Sequence, residues 1–327
     1  MKTQVNDLPI IFPDRKTILE DLPRDKISNI MIKYNNIPVI LAEMSDISEP
    51  ETLEADGPIK NLLQEVKLYE RKISKNIDDF INKVIPKEIA EEFSRVFWVA
   101  VKYDKILVET LSQLKALYNT APPAPIYSEA RTYSRVRQIR KWLNQIRINK
   151  NFKYLDVGCS EASITEGVAR TLGLEMGEIY GCDIFITEEP GGKVIFARST
   201  PTSLPYEDNE FDLVTTFQAL HHFTDPKVML SEIHRVLKPG GIYIIREHDV
   251  RDDSFGVFLD VVHAIYSVVI SSEQTPEAFV NTYESFYKTK EKWSKNYIEP
   301  AGFSFRGLIK TNDRFNSYYA RYLRDFT

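Results

Sequence analysis

The fold of this chain is decided by residues 153–162, which read KYLDVGCSEA. The apolar run from Lys153 to Val157 predicts a short buried strand, and Ser163 to Leu172 predicts the helix that follows it. Small residues at positions 158, 160 and 162 allow the backbone of the intervening turn to approach a ligand closely. The N-terminus of the helix adds free N–H groups to the same turn. The stretch therefore predicts a strand, a ligand-binding turn and a helix.

Strands and helices alternate through the rest of the C-terminal half. Further elements are predicted as strands at Glu178–Asp183, Lys193–Arg198, Phe211–Phe217 and Ile242–Arg246, a helix at Pro226–Leu237, a turn at Lys238–Gly241, and a last antiparallel pair at Phe303–Lys310 and Ser317–Leu323. This alternation is typical of βαβ units. We therefore predict an α/β fold with a doubly wound, mostly parallel, Rossmann-like seven-stranded sheet, whose ligands bind at the carboxyl ends of the strands.

The N-terminal third has a different pattern. Residues 56–118 show helical spacing of apolar side chains, whereas the first 55 residues mix prolines and acidic residues with short β-branched runs. Three prolines within 122–125 predict an extended connector. We therefore predict an additional, mainly helical N-terminal domain at residues 1–120, a connector at 121–127 and the α/β domain at 128–327. The role of the first domain is open, and binding of a protein partner is one candidate.

Composition excludes several classes of protein. The chain has 327 residues, of which 43% are hydrophobic and 27% charged, as in a globular protein. Only 2 cysteines are present, which excludes a disulfide-framed scaffold and favours a reducing, cytoplasmic location, with the nucleus as an alternative. A net charge of -5 argues against a surface that binds nucleic acid throughout. The longest apolar stretch, Val257–Ile270, is interrupted by Asp260 and His263, so we expect no membrane segment.

A carboxylate at the end of the second strand points to the class of ligand. Asp183 lies 25 residues after Gly158, the position from which a carboxylate accepts the hydroxyls of a ribose. This combination predicts a nucleoside-containing ligand. Later motifs follow in order, namely LPYED at 204–208, FDLV at 211–214, LHH at 220–222 and RVLKPGG at 235–241. With them, the chain resembles the class I S-adenosylmethionine-dependent methyltransferases with a type 11-like domain, strongly over residues 150–250 and in outline over 128–327.

The resemblance implies that S-adenosyl-L-methionine is the cofactor, and it assigns residues to each part of that molecule. The first turn would hold the amino-acid moiety, Asp183 the ribose, and the turns after the second and third strands the adenine. The end of the fourth strand would lie beside the sulfonium centre. The cofactor-binding residues implied in this way are Asp156, Gly158, Cys159, Ser160, Asp183, Ile184, Ser199, Thr200, Phe217 and Gln218.

Three positions depart from the family pattern. The family usually has glycine where Ser160 and Ala162 stand, and aspartate where Thr200 stands. Serine and alanine are small, so the turn is expected to survive if neither position requires a positive φ. Thr200 retains a hydrogen-bonding group but lacks the negative charge. A degenerate, non-catalytic domain that acts as a regulatory or scaffold subunit is therefore an alternative.

Candidate catalytic residues follow the fourth and fifth strands. Methyl transfer from a sulfonium is an in-line displacement, and a base is needed only where the acceptor starts protonated. His221, Glu247 and His248 are the candidates for that base or for orienting the acceptor. His222 is expected to bond to the backbone, and His263 to be an ordinary helix residue. A metal site built from His222, Glu247, His248 and Asp249 is chemically conceivable. Nothing fixes the spacing, however, and adjacent residues on an extended chain point in opposite directions, so we predict no metal site.

Basic residues are concentrated between positions 131 and 153, where there are eight and no acidic residue. Tyr133 and Trp142 lie among them, as stacking platforms for bases would. This favours RNA as the methyl acceptor over a protein or a small molecule, although a solvated helix face explains the same pattern. Arg135 is also a candidate partner of the cofactor carboxylate. The candidate substrate-binding residues are Arg131, Arg135, Arg137, Arg140 and Lys141.

Three hypotheses from different classes follow. The first is an active methyltransferase, whose acceptor the sequence does not identify. The second is a methyltransferase-like subunit that has lost turnover. The third is a nicotinamide-dependent oxidoreductase that uses the same ribose-binding carboxylate, against which the LHH and RVLKPGG motifs argue.

Overall fold

The structure is a computed structural model that describes residues 32–34, 37–39, 59–122, 128–175, 177–184 and 192–326. The chain divides into two compact units, Met1–Glu54 and Ala55–Thr327. In the first unit, strands β1 (Ile32–Tyr34) and β2 (Ile37–Val39) form an antiparallel pair. The second unit contains all the other described elements.

The helices of the second unit are α1 (Leu62–Val84), α2 (Lys87–Lys102), α3 (Leu107–Tyr118), α4 (Ser128–Leu143), α5 (Ser163–Leu172), α6 (Pro226–Val236), α7 (Asp253–Ala264), α8 (Pro276–Thr282) and α9 (Lys290–Lys292). Its strands are β3 (Tyr154–Val157), β4 (Ile179–Asp183), β5 (Ile195–Arg198), β6 (Phe211–Phe217), β7 (Leu237–His248), β8 (Phe303–Lys310) and β9 (Ser317–Arg324). Helical turns with π geometry extend α7 over Ile265–Ile270 and α9 over Trp293–Ile298.

The strands of the second unit form one seven-stranded sheet in the order β5-β4-β3-β6-β7-β9-β8. Strands β3 to β7 pair in parallel, and β9 is antiparallel to both β7 and β8. The predicted doubly wound, mostly parallel sheet and its last antiparallel pair are therefore confirmed. The chain goes from β3 outwards to β4 and later returns to β6 on the other side of β3. A ligand crevice is expected where the strand order reverses in this way.

One local prediction is wrong. Residues 238–241 were expected to form a turn before the fifth strand, but they belong to β7, which begins at Leu237. Phe211 pairs with Leu237 and Leu213 with Ile242, so the four intervening residues are accommodated as a bulge opposite Asp212. The pairing on both sides of the bulge keeps this segment in the sheet.

Helices cover both faces of the sheet. On one face, α6 packs Leu230 and Ile233 in a core with Trp293 from the turn after α9. On the other face, Ile139 of α4 and Val168 of α5 pack against the central strands. Strand β3 is buried along its whole length, as expected for the centre of a doubly wound sheet.

A third hydrophobic core joins the N-terminal helices to the C-terminal region. Phe80 of α1 and Phe93 of α2 are fully buried in the cluster that contains Phe258 and Ile265. The helices predicted for residues 56–118 are thus present and pack with α7. The predicted division at residues 1–120, 121–127 and 128–327 stays a prediction, and residues 123–127 lie outside the described part of the chain.

Helix α7 is longer than the sequence pattern suggested. With its extension it spans Asp253–Ile270, 18 residues of mean hydropathy 1.5, and is long and apolar enough to cross a membrane by length and composition. The helix exceeds the apolar stretch Val257–Ile270 because it begins at Asp253, where the Asp252 side chain accepts a hydrogen bond from the N–H of Phe255. Of the span, 67% is buried inside the protein, as in a core helix. The absence of a membrane segment stays a prediction.

We predict that Phe80→Ala lowers the free energy of unfolding by about 3–5 kcal/mol, because it removes a fully buried ring from the core shared with α7. The ring centroid of Phe80 is 5.5 Å from that of Tyr266 and 6.3 Å from that of Phe315. Leu68→Ala on the same helix is the matched control, because Leu68 is 74% exposed. Urea unfolding of the full chain measures both, and equal losses would contradict the packing described here.

Candidate active site

The turn after β3 brings the backbone close to the next parallel strand. Gly158 has φ +76°, and a Cβ atom built at this position would lie 2.5 Å from the Cβ of Ala219. The N–H groups of Gly158 and Cys159 donate hydrogen bonds to the carbonyl of Cys182, at 2.8 and 3.1 Å. Only glycine fits both the conformation and the space at position 158. The turn is therefore a cradle of the kind that a nucleotide-like cofactor requires.

Two other residues of this turn adopt left-handed backbone conformations. Ser160 has φ 47° and Ala162 has φ 60°. The condition under which the turn is expected to tolerate serine and alanine, that neither position requires a positive φ, is therefore not met, because the short path from β3 into α5 places both residues in the region that glycine favours. Each non-glycine residue there costs about 1–2 kcal/mol. The backbone N–H of Ser160 donates to Oδ2 of Asp183 at 3.1 Å, which ties the first turn to the second.

Asp156 is buried beneath the cradle. Thr165 of α5 donates to its Oδ2, and Thr215 of β6 donates to its Oδ1, both at 2.6 Å. Burial raises the pKa of Asp156 to about 6 in spite of these two hydrogen bonds. Since both carboxylate oxygens accept bonds from within the protein, Asp156 contributes to the site by fixing β3, α5 and β6 relative to one another.

The residues predicted to border the ribose and adenine lie at adjacent strand ends. Asp183 ends β4, Ile184 follows it half-buried, and the N–H of Ser199 donates to the carbonyl of Asp183 at 3.2 Å. Thr200 lies in a turn, where its N–H donates to the carbonyl of Ser203 at 3.1 Å. The structure therefore brings these four predicted residues to one edge of the sheet. Their contacts with a cofactor stay a prediction.

Gln218, which directly follows β6, contacts one residue of α4 and one of β7. Gln218 has φ 60°, and its side-chain oxygen accepts a hydrogen bond from Nη2 of Arg135 at 2.6 Å. Its Nε2 lies 2.9 Å from Nε2 of His248. A shallow depression beside the end of β6 is lined by Arg135, Val136, Ile139, Ile164, Phe217 and Tyr319. Arg135, predicted as a partner for the cofactor carboxylate, thus contacts a residue predicted to border the cofactor, and its own role stays a prediction.

His221 and Glu247 form a fully buried pair. Nδ1 of His221 lies 2.6 Å from Oε1 of Glu247, and both side chains are 0% exposed. Glu247 also accepts hydrogen bonds from the backbone N–H of His221 at 3.2 Å and of His248 at 2.7 Å. Burial holds the pKa of His221 well below its usual value, so its ring is neutral and donates from Nδ1. Its Nε2 is buried and has no hydrogen-bond partner among the described residues.

Three of the chain's 5 histidines surround this pair, and with His221 they form a histidine cluster. The ring centroid of His221 lies 4.2 Å from that of His222, 5.4 Å from that of His248 and 5.3 Å from that of His263. Nδ1 of His222 lies 2.8 Å from the carbonyl oxygen of Glu284, as expected for a residue that bonds to the backbone. Burial lowers the pKa of His248 to about 3, so this ring is neutral as well.

His263 is the residue that sequence reasoning missed. It was expected to be an ordinary helix residue, but α7 places it in the histidine cluster. One feature of the sequence could have indicated its role. His263 and Asp260 are polar residues in a mostly apolar helix, and because they are three positions apart they lie on the same helix face. Asp260 is buried and accepts hydrogen bonds from the hydroxyls of Tyr283 and Tyr287, at 2.9 and 3.0 Å. Burial raises the pKa of Asp260 to about 7.

Helix α4 presents basic residues to solvent. Arg137, Arg140 and Lys141 are exposed, and the side chain of Arg131 lies outside the described residues. Val136 and other apolar residues on the opposite face are buried against the sheet. Both readings of this stretch, a nucleic-acid surface and a solvated helix face, fit such an arrangement. The nucleic-acid role of these residues stays a prediction.

We predict that Ser160→Gly raises the free energy of unfolding by about 1 kcal/mol, because glycine removes the left-handed strain at this position. Ser163→Gly is the matched control. The hydroxyls of Ser160 and Ser163 each donate to the Glu161 carboxylate at 2.8 Å, so both variants lose the same kind of hydrogen bond. Ser163, however, lies in the first turn of α5, where glycine is expected to destabilise by about 0.5–1 kcal/mol. Thermal unfolding measures both, and a loss of stability in Ser160→Gly would contradict the strain.

Comparisons with known proteins agree with this geometry. The family described as "Methyltransferase domain" matches residues 155–245. A demethylmenaquinone methyltransferase of Staphylococcus saprophyticus is 26% identical over 178 residues, which are 50% of this chain and 76% of the relative. One from Geobacillus stearothermophilus is 34% identical over 125 residues, 34% of this chain and 53% of the relative, so the chain spans about half of that protein.

Among solved structures, the PH0226 protein of Pyrococcus horikoshii OT3 is 20% identical, with a TM-score of 0.43 over 64% of this chain and 99% of the other. The matched region contains the cradle at Gly158, the carboxylate at Asp183 and the strand order reversal at β3. The motif order, the sheet topology and the family match lead to one conclusion. Residues 155–245 form the core of a class I S-adenosylmethionine-dependent methyltransferase, an enzyme whose cofactor is S-adenosylmethionine.

Proposed function

We propose that this methyltransferase acts on a small-molecule acceptor that loses a proton during the reaction, and that the acceptor binds beside the histidine cluster. The single observation that carries this proposal is Nε2 of His221, which is buried and has no hydrogen-bond partner among the described residues. The ring of His221 lies 5.4 Å from that of His248, which contacts Gln218 at the predicted sulfonium position. Glu247 orients the ring by accepting from Nδ1. A neutral imidazole held in this way is a general base.

The relatives support the small-molecule class. Several of them are demethylmenaquinone methyltransferases, whose name specifies a small acceptor. The residues that surround the unpartnered nitrogen in this chain include His263 and Tyr287, which lie outside the matched residues 155–245. We therefore carry over the class of acceptor from the relatives, and not the quinone itself.

The roles of this chain's residues follow from the chemistry of the transfer. S-adenosylmethionine supplies an activated methyl group when it is bound, so the protein has to align donor and acceptor and to remove a proton. Gly158 and Arg135 would hold the amino-acid moiety, and Asp183 the ribose. Alignment contributes roughly 7–11 kcal/mol to lowering the barrier, and a well-placed base such as His221 about 10²–10⁴-fold in rate.

RNA is the second candidate acceptor. The exposed side chains of Arg137, Arg140 and Lys141 on α4 support it, because they extend along the same helix that places Arg135 beside Gln218. A strand of RNA would neutralise such a surface through its phosphates. Under this candidate, methylation weakens steeply as the salt concentration rises, whereas methylation of a small neutral acceptor does not.

We predict that radiolabel from the methyl group of S-adenosylmethionine, supplied with a cell extract and the enzyme, appears in the small-molecule fraction. The His221→Ala variant is expected to lose about 10²–10⁴-fold in rate while still binding the cofactor, because the base is removed and the cradle is not. His234→Ala is the control, since His234 packs against Phe303, away from the cluster. Label in RNA or protein alone would contradict the small-molecule proposal. No label in any fraction would favour the degenerate subunit.

We predict that Asp183→Ala abolishes measurable binding of S-adenosylmethionine, and that Arg135→Ala weakens it by about tenfold to a hundredfold, because a charged hydrogen bond to the cofactor carboxylate is lost. Arg137→Ala is the matched control, two positions away on α4 with an exposed side chain. Isothermal titration with the donor, its demethylated product and NAD measures these affinities. Unchanged affinity in Asp183→Ala would refute the ribose role, and a preference for NAD would favour an oxidoreductase.

A further inference from the structure

We propose that His221, His248 and His263 bind a divalent transition-metal ion through their ring nitrogens. One ring nitrogen from each residue can be chosen so that all three atoms lie within 4.8 Å of one another. The three residues come from the turn after β6, from the end of β7 and from α7, so the site is built where three elements converge.

The hydrogen bonds of the three rings determine which nitrogen faces the ion. Nδ1 lies 2.6 Å from Oε1 of Glu247 in His221 and 2.8 Å from the carbonyl oxygen of Phe315 in His248. In His263 it lies 2.9 Å from the carbonyl oxygen of Leu259 and 3.1 Å from the hydroxyl oxygen of Tyr287, whose own hydrogen is donated to Asp260. An oxygen acceptor can only receive a proton from these atoms, so each Nδ1 carries hydrogen and each Nε2 carries a lone pair. Metal-binding histidines show this same arrangement, with a carboxylate or carbonyl behind the ring.

His221 supplies a second, independent observation. Its side chain is 0% exposed, and its Nε2 has no hydrogen-bond partner among the described residues. A buried polar atom without a partner costs about 1–3 kcal/mol and calls for a bound water or ion. Nε2 of His248 lies 2.9 Å from the amide nitrogen of Gln218, which would have to turn away when the ion binds.

The donor set indicates the class of ion. Three imidazoles with an open fourth position are typical of zinc and of neighbouring ions such as cobalt, nickel and copper, whereas calcium and magnesium prefer oxygen. Metal–nitrogen bonds of about 2.0–2.1 Å place tetrahedral ligands roughly 3.4 Å apart, so small ring movements would close the site. Glu247 accepts from Nδ1 of His221, which is the arrangement of a carboxylate behind a metal-binding imidazole.

The ion would deepen the proposed function, and this consequence rests on that proposal. An ion held by the three rings would bind an oxygen of the acceptor and lower its pKa, so that the acceptor releases its proton to solvent before the methyl group is transferred, and His221 serves as a ligand of the ion and not as the base. Without an ion, His221 acts as the base directly. The two cases differ in whether removal of metal abolishes methyl transfer.

Metal binding to the full chain tests the proposal directly. After treatment with a chelator and its removal, the protein is titrated with Zn²⁺ in a calorimeter and with Co²⁺ in a visible spectrometer. We expect one ion per chain and the intense visible bands of tetrahedral Co²⁺. His248→Ala and His263→Ala should each weaken binding by about a hundredfold or more, since loss of a ligand exceeds the 10–100-fold cost of losing a group behind one. His263→Gln, a milder change, serves if the alanine variants fail to fold.

His234→Ala is the matched control, because it removes a histidine outside the cluster and should leave the affinity unchanged. The proposal is overturned if the full chain binds no stoichiometric ion, or if His248 and His263 variants that fold bind it as tightly as the unchanged protein. Methyl transfer is measured on the same samples. Activity in the metal-free enzyme would leave the proposed function intact and remove the catalytic role of the ion. A tightly bound ion with no small-molecule methylation would refute the proposed function alone.

Discussion

A buried carboxylate at the end of β7 determines the arrangement of the proposed reaction centre. Glu247 accepts hydrogen bonds from the ring and the backbone of His221 and from the backbone of His248, and it is 0% exposed. It thereby joins the turn after β6 to the end of β7. Without the ring of His221, the buried carboxyl group would lose one of these three hydrogen bonds, which costs about 1–3 kcal/mol. The relative position of His221 and His248 therefore depends on Glu247, whereas His222 and His263 are held by the carbonyl oxygens of Glu284 and Leu259.

The histidine cluster also depends on the hydrophobic core that the N-terminal helices share with α7. Helix α7 is apolar enough to require burial on most of its surface, and α1 to α3 provide much of that burial. Once α7 is fixed in this way, His263 and Asp260 are held at the end of the sheet. The helical layer therefore completes a site that the matched residues 155–245 do not contain by themselves.

Sequence reasoning predicted the sheet well because alternation of short apolar runs and helical repeats reports burial directly. The helix at Ser163–Leu172 and the strand at Phe211–Phe217 coincide with those in the structure. The same reasoning missed the bulge in β7, because residues 238–241 have the composition that is usual for a turn. The left-handed conformations of Ser160 and Ala162 could not be predicted from the sequence. Where the family has glycine and this chain has another residue, the sequence does not show whether the backbone has changed its conformation or keeps it under strain.

The candidate site was predictable only in part. Residues at strand ends are brought together by the fold class itself, and this is why His221, Glu247 and His248 were identified. His263 comes from a helix whose packing depends on residues more than a hundred positions earlier, and no local pattern encodes such a contact. Side-chain partners such as the two threonines that donate to Asp156 are likewise set by tertiary structure.

A crystal structure of the complex with the demethylated product of S-adenosylmethionine tests the central claim most directly. The account predicts the ribose hydroxyls on Asp183 and the sulfur atom beside Gln218, facing the histidine cluster. A product molecule bound elsewhere, or one whose sulfur atom is separated from His221 by other side chains, would contradict the account.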